Sequence, residues 1–292
     1  MLKEAPLVPY AYTGEPFERS EKMYRILKAL VRFPYQVRVE INGTENLDTA
    51  RELLEQGKFI ADAYEHLGVA DPITGIHGLY RSGHGDLAEA CVYVMKITYV
   101  SGRVKDLVPR VLRVVPVVPP SLPDYPKAEA INAQAKRVVQ SMTSGVVAVS
   151  PIPGRKIPQK LDEAHWGAAD FWHPRGEAFV IPTAISGTNK QFPRGVLKIP
   201  YGLPYYLSAG RYLHKARITF GEPIPVEKID EVANRWSHGD ERDEKRLRVE
   251  LVMGVIADLH TEKGYTDRYR EKKEKDPAFA KALEDIYKPR IL

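Results

Sequence analysis

Two hydrophobic periods alternate along this chain, and their alternation predicts an α/β fold. Short apolar runs typical of strands occur at residues 37–41, 58–64, 92–100, 114–118, 146–149, 179–187 and 217–220. Between these runs the apolar residues recur at helical spacing, most clearly over residues 127–142, where Ile131, Ala135 and Val138 share one face. Strands that alternate with helices favour a mixed central sheet flanked by helices in a single domain.

The same patterns divide the chain into three parts. Residues 1–34 are predicted to form an N-terminal arm and an amphipathic helix, residues 35–230 the α/β domain, and residues 231–292 charged C-terminal helices packed on that domain. Four glycines within residues 72–90 predict that any helix there is poor or broken, because glycine is unfavourable inside a helix.

The helix predicted at residues 20–32 has one apolar side and one basic side. Its apolar residues are Met23, Ile26, Leu27, Leu30 and Val31, and its basic residues are Lys22, Arg25, Lys28 and Arg32. Two interpretations stay open. The helix packs on the domain with a solvated basic side, or it lies on an anionic membrane surface with its apolar side down.

Composition narrows the class of protein. Apolar residues make up 43% of the 292 residues, which is enough for a substantial core. The single cysteine, Cys91, excludes an intrachain disulfide and fits a reducing compartment. The N-terminal residues lack the pattern of a signal peptide and no run of about 18 apolar residues occurs, so we expect a cytoplasmic protein.

The net charge of +5 favours anionic partners, but zinc-finger spacings and long Lys/Arg runs are absent, so nucleic acid is not an expected partner.

The strongest candidate chemistry lies at the exit of the strand predicted at residues 58–64, where His66 precedes Asp71 by five positions. An aspartate at this spacing can hold an imidazole in one tautomer and stabilise its charged form. The other ring nitrogen is then free to take a proton from a hydroxyl. Taken alone, the pair also fits an ordinary loop contact, because any His followed five residues later by Asp matches it.

The pair belongs to a series of blocks along the chain. They are Gly43-Thr44-Glu45-Asn46-Leu47, His66-Leu67-Gly68-Val69-Ala70-Asp71-Pro72, Pro151-Ile152-Pro153-Gly154-Arg155, Phe179-Val180-Ile181-Pro182 and Phe220-Gly221-Glu222-Pro223-Ile224. In order and spacing they resemble the glycerolipid acyltransferases with an HX4D motif, which acylate glycerol-3-phosphate and lysophosphatidate. The chain departs from the family at Glu65, Gly68 and Ile152, where the family has Asn, Ser and Glu. The block at 151–155 is closer to the P-S-G-G-R form of the plastid-type enzymes.

The resemblance implies an acyltransferase-like domain that transfers a fatty acyl group from a thioester, on coenzyme A or acyl carrier protein, to a hydroxyl of a phosphorylated glycerol or lysophospholipid. It makes His66 the base, Asp71 its partner and Arg155, with Gly154, the ligand of the acceptor phosphate. Lys156 adds charge there or is an ordinary exposed lysine. No cofactor is implied beyond the thioester co-substrate, and the lipid acceptor would be reached on the inner face of the membrane.

Other polar residues, and the function itself, have more than one interpretation. Arg81 and His84 could form a second anion site or belong to a glycine-rich surface loop. His165 and His173 match no common zinc spacing, which favours packing or loop roles and no metal site. The degenerate block at residues 150–155 also fits a non-catalytic relative that binds a lipid surface or an acyl group. A lipid-ester hydrolase that uses the same His and Asp is a further alternative.

Overall fold

The computed structural model describes residues 20–22, 24–25, 39–64, 71–97, 112–119, 122, 124, 127–150, 165–174, 176–188, 215–237, 240–260 and 268–287. Within these residues one sheet contains the strands β1 (Val39–Asn42), β2 (Phe59–Tyr64), β3 (Cys91–Lys96), β4 (Arg113–Val117), β5 (Gly145–Val149), β6 (Ala178–Ser186), β7 (Ala216–Phe220) and β8 (Ile224–Pro225). The helices are α1 (Thr44–Glu55), α2 (Asp71–Arg81), α3 (Gly85–Ala90), α4 (Ala128–Ser141), α5 (Val226–Ser237), α6 (Glu241–Leu259), α7 (Arg268–Lys275), α8 (Pro277–Ile286) and a 3₁₀ helix at Trp166–Phe171. The predicted α/β class is confirmed: a central, mostly parallel sheet is flanked by helices.

The order of the strands determines which connections are neighbours. The sheet runs β1-β7-β6-β2-β5-β3-β4, and β8 pairs with β6. Strands β2 to β6 are parallel to one another, whereas β7 and β8 are antiparallel to β6. Ala63 near the end of β2 is level with Val149 of β5 on one side and with Pro182 of β6 on the other. The carboxyl ends of β2 and β5 therefore lie side by side, next to the middle of β6, at the edge where α/β sheets bind ligands.

Each face of the sheet has its own hydrophobic core, because successive side chains of a strand point to opposite faces. Ile60 and Tyr64 of β2 pack on one face with α1, α2 and α3. Phe59, Ala61 and Ala63 pack on the other face with α4, the 3₁₀ helix and helices α5 to α8. Helix α6 is buried without interruption from residue 249 to 257, so it lies beneath its neighbours and lacks the single apolar stripe of a surface helix.

The helical structure at residues 72–90 is broken, as predicted, but not at every glycine. Helix α2 continues through Gly75 and Gly78, and only the turn before Gly85 interrupts the helical structure. A Cβ atom at Gly78 would lie 2.7 Å from Cδ1 of Ile218. The glycine thus permits a close approach of α2 to the sheet, and the packing gained there offsets its poor helix propensity.

Helix α7 was not foreseen, because its sequence is almost entirely charged and only Tyr269 is buried. Tertiary contacts hold it in place. Lys272 pairs with Glu250 of α6 at 2.6 Å, and Lys273 pairs with Asp258 at 2.6 Å. Arg270 donates through Nε to the carbonyl oxygen of Ala257 at 2.9 Å. The carbonyl oxygen of Ala257, in the last turn of α6, thus accepts a hydrogen bond from a side chain of the next helix.

The N-terminal helix is described only at residues 20–22 and 24–25; the rest of the predicted amphipathic helix lies outside the described residues. Tyr24 is buried, and its hydroxyl lies 2.8 Å from the hydroxyl of Tyr80 in α2. Lys22 and Arg25 are exposed. The first turn therefore packs on α2. In the part of the chain that is described, no helix has both the length and the apolar composition needed to cross a bilayer.

Candidate active site

The first and last of the family-like blocks contact each other. Gly43 begins α1 with a φ of 73°, and a Cβ atom there would lie 2.0 Å from the carbonyl oxygen of Phe220. Asn46 donates through Nδ2 to that same oxygen at 2.8 Å. Leu47 is 1% exposed within the core under α1. This block therefore attaches the start of α1 to the end of β7.

The block at residues 179–182 contacts the last block in the same way. The backbone N–H of Gly221 donates to the carbonyl oxygen of Pro182 at 2.8 Å. A Cβ atom at Gly221 would lie 2.7 Å from Cγ of Pro182. These residue types thus serve the packing of β6 against β7. Packing alone accounts for the Gly43, Pro182 and Phe220 blocks. Any catalytic role therefore depends on the other two blocks, at residues 66–72 and 151–155.

Asp71 is the first residue of α2, fully buried, and lines a cavity between the helix and the sheet. His66 lies outside the described residues, as do Gly154, Arg155 and Lys156. The connections that carry them begin at the ends of β2 and β5, which are adjacent parallel strands. Of the His66–Asp71 pair, the structure therefore describes only Asp71. It also describes the ends of β2 and β5, after which His66 and the residues at 154–156 follow in the chain.

Arg81 and His84, the candidate second anion site, both contact protein groups. Arg81 donates through Nη1 to the carbonyl oxygen of Val39 at 3.0 Å. Nε2 of His84 lies 3.0 Å from a carboxylate oxygen of Asp48, and Nδ1 lies 3.0 Å from Oγ of Ser82. These contacts connect the end of α2 with β1 and α1. The anion site stays a prediction.

The cavity beneath α2 contains a carboxyl group that the sequence patterns did not single out. Asp62 stands at the middle of the central strand β2 and lines the cavity. Oγ1 of Thr183 donates to Oδ1 of Asp62 at 2.7 Å. Burial raises the pKa of Asp62 to about 6, although the Thr183 hydrogen bond acts in the opposite direction. A lone acidic residue within an apolar strand is the signal that could have identified it.

Three other side chains that line the cavity, Tyr64, Cys91 and Tyr93, are neutral at physiological pH. Burial raises the pKa of Tyr64, and the negative charges of Asp62 and Asp71 raise it further. Burial likewise raises the pKa values of Cys91 and Tyr93, so the Cys91 thiol is protonated and is a poor nucleophile. The cavity has a volume of about 30 Å³, which is room for water and not for an acyl chain. Among the described residues, no group of three or more His, Cys, Asp or Glu side chains is arranged to hold a metal ion.

Replacing Asp62 with asparagine is expected to flatten the pH dependence of stability between pH 4 and pH 6. An unfolded aspartate titrates near 3.9, whereas Asp62 in the folded protein titrates near 6. Its contribution to stability is therefore complete below pH 4 and is lost as the pH rises through 6. The loss amounts to about 3 kcal/mol. The free energy of urea-induced unfolding at several pH values measures it, and an identical pH dependence in the Asp62→Asn variant would contradict the assignment.

The fold and the cavity together define an α/β protein in which two carboxyl groups, the buried Asp71 and the partly buried Asp62, line a cavity beside the central parallel strand. No protein-family model matches this chain, and no curated protein matches it either. What the molecule does must therefore be inferred from its own residues and from the resemblance of its blocks.

Proposed function

We propose that this protein transfers a fatty acyl group from a thioester to a hydroxyl of a phosphorylated glycerol or lysophospholipid. One observation carries the proposal: β2 lies between β5 and β6, and the three strands are parallel. The connection with His66 follows β2, the connection with Arg155 follows β5, and the Pro182 block lies in β6 itself. A base and a phosphate ligand that follow adjacent strands suit a reaction at the carboxyl edge of the sheet.

In the proposed reaction His66 takes the proton of the acceptor hydroxyl as its oxygen attacks the thioester carbonyl. The carbon–sulfur bond then breaks, and the leaving thiolate receives that proton from His66. Asp71 orients the imidazole and stabilises its charged form. Its complete burial supports this role, because a carboxylate shielded from water interacts more strongly with a nearby cation. Direct attack by the acceptor needs no acyl-enzyme, in agreement with the protonated state of Cys91.

A non-catalytic relative is the second candidate. The Gly43, Pro182 and Gly221 blocks serve packing, so a protein that had lost activity would still retain them. Ile152 also stands where the family has a glutamate. An acyl-binding or lipid-surface protein would therefore share the fold and the blocks but would not turn over a thioester.

An assay of thiol release separates the two candidates. Purified protein is incubated with an acyl-coenzyme A and either glycerol-3-phosphate or lysophosphatidate, and the free thiol and the acylated product are measured together. Acylated product that depends on the acceptor supports the transferase. Thiol release without an acceptor indicates a hydrolase, and no release with either coenzyme A or acyl carrier protein thioesters contradicts the proposal.

The lipid acceptor is proposed to be reached from an anionic membrane surface. The first turn of the N-terminal helix exposes Lys22 and Arg25 while Tyr24 packs on α2. Basic side chains near an anionic bilayer contribute about 1 kcal/mol each, an effect that salt screens.

Replacing Arg155 with alanine is expected to raise the acceptor KM by roughly 10- to 100-fold, because a charge-assisted hydrogen bond to phosphate is lost. The thioester KM should change little. Lys156→Ala serves as the control and should have the smaller effect on the acceptor. Steady-state kinetics with each substrate varied in turn measure both constants, and equal increases for acceptor and thioester would count against a phosphate site.

A further inference from the structure

A cluster of charged residues joins the 3₁₀ helix to α5 and α6. His173, just after the 3₁₀ helix, lies with Nε2 2.9 Å from Oδ2 of Asp230 on α5. Its Nδ1 donates to the carbonyl oxygen of Ala169 at 2.9 Å. Arg248, from α6, forms an ion pair with Asp230, its Nε lying 2.8 Å from Oδ1. The histidine predicted to have a packing or loop role therefore contacts its own helical turn and a neighbouring helix at once.

Both ring nitrogens of His173 face atoms that only accept hydrogen bonds. A carbonyl oxygen and a carboxylate each lack a proton to donate, so both nitrogens must carry one and the imidazole is charged. Burial and the positive charge of Arg248 lower the pKa of His173, but the hydrogen bond and charge of Asp230, with the Ala169 carbonyl, outweigh them and the net pKa is raised. A neutral imidazole has one N–H and could donate to only one of these two acceptors.

The other charged groups around the cluster are already engaged with one another. Arg248 pairs with Glu244 one turn earlier in α6. Asp170, in the 3₁₀ helix, pairs with Lys136 of α4 and lies 3.8 Å from Lys245 of α6. His173 is the described member of this cluster whose side chain ordinarily changes charge near neutral pH.

We propose that His173, Asp230 and Arg248 form a pH-dependent clamp that holds the 3₁₀ helix, in the connection between β5 and β6, against α5 and α6. Loss of the His173 proton to solvent removes one of its two contacts and loosens the 3₁₀ helix. The regulatory consequence rests on the proposed function: this same connection carries Arg155, so opening of the clamp would weaken binding of the phosphorylated acceptor.

Two measurements test the clamp without any assay of activity. The first is the NMR titration of the His173 ring. Its midpoint should lie above the value of about 6.5 for a free histidine and should fall in Asp230→Asn. The second is amide hydrogen exchange at Ala168 and Trp172, corrected for the intrinsic rate. Protection should be lower at pH 9 than at pH 6, and it should be low at both pH values in His173→Gln.

Arg235→Gln is the matched control, because Arg235 lies on the same helix α5 but forms its ion pairs with Glu231 and Asp285 and not with the cluster. It should leave the His173 midpoint and the protection of the 3₁₀ helix unchanged. A His173 midpoint at or below that of free histidine, or equal protection at both pH values, would overturn the clamp. If Asp230→Asn fails to fold, the clamp is still tested by two measurements on the wild type: the midpoint of the His173 titration and the protection of the 3₁₀ helix at pH 6 and pH 9.

Kinetics then test the link to the acceptor. The ratio of the acceptor KM of His173→Gln to that of the wild type should be largest at pH 6 and approach one at pH 9, while the thioester KM ratio stays near one at both. Comparing variant and wild type at each pH cancels the ionisation of the acceptor phosphate. A pH-independent ratio would overturn the regulatory link. Absence of acyl transfer would overturn both the proposed function and the link between the clamp and acceptor binding. The clamp itself would then be tested by the NMR titration and by hydrogen exchange, which do not depend on activity.

Discussion

Replacing His66 with alanine is expected to lower the rate of acyl transfer by about 100- to 10,000-fold and to leave the protein folded. A positioned general base contributes about that factor, because without it the acceptor hydroxyl must lose its proton to solvent. His66 follows β2 by two positions and precedes the buried Asp71, so its removal takes away the group that Asp71 is proposed to orient. Initial rates of product formation measure the loss, and circular dichroism confirms folding.

Asp71→Asn provides the companion variant. It keeps the size of the side chain but removes the charge that favours the correct imidazole tautomer, so activity should also fall strongly. The two substitutions act on one catalytic unit, and the double variant should therefore lose little more than His66→Ala alone. Turnover like that of the wild type in a folded His66→Ala protein would eliminate the proposed mechanism, whatever the effect at Asp71.

Gly43→Ala is expected to destabilise the fold by about 3 to 5 kcal/mol. A left-handed conformation costs an alanine about 1–2 kcal/mol, and Gly43 has a φ of 73°. The added Cβ would also lie 2.0 Å from the Phe220 carbonyl oxygen, so the strand end or α1 must move. The movement adds a packing cost of about 1–3 kcal/mol and weakens the Asn46 hydrogen bond to the same oxygen.

Gly57→Ala separates these two costs. Gly57 has nearly the same φ, 75°, but a Cβ atom there would meet nothing within 4 Å. Its replacement should cost only about 1 kcal/mol, since conformational strain is partly offset by a less flexible unfolded chain. Urea denaturation of both variants measures the difference. Equal destabilisation would mean that the contact between the Gly43 block and the Phe220 block contributes nothing to the fold.

Local patterns within the sequence determined the class of the fold and many of its elements. The helix predicted at residues 127–142 is α4, and α8 is one of the helices found where the sequence predicts helices, within residues 231–292. Such elements are predictable because their periodicity and caps involve residues close in sequence. The side chain of Asp276, for example, accepts hydrogen bonds from the backbone N–H groups of Ala278 and Phe279. The His66–Asp71 spacing is likewise a local feature, and the burial of Asp71 agrees with the role proposed for it.

Only the tertiary structure decided the strand order, the continuity of α2 through its glycines and the interactions of Asp62 and His173. Asp62 meets Thr183 across 121 residues of sequence, and His173 meets Asp230 across 57. No local period encodes which distant strand or helix will lie beside a residue. Burial, charge state and the demand for glycine at Gly43 arise from those long-range contacts. The sequence alone therefore predicted many of the elements and one candidate pair, but not the environment that acts on them.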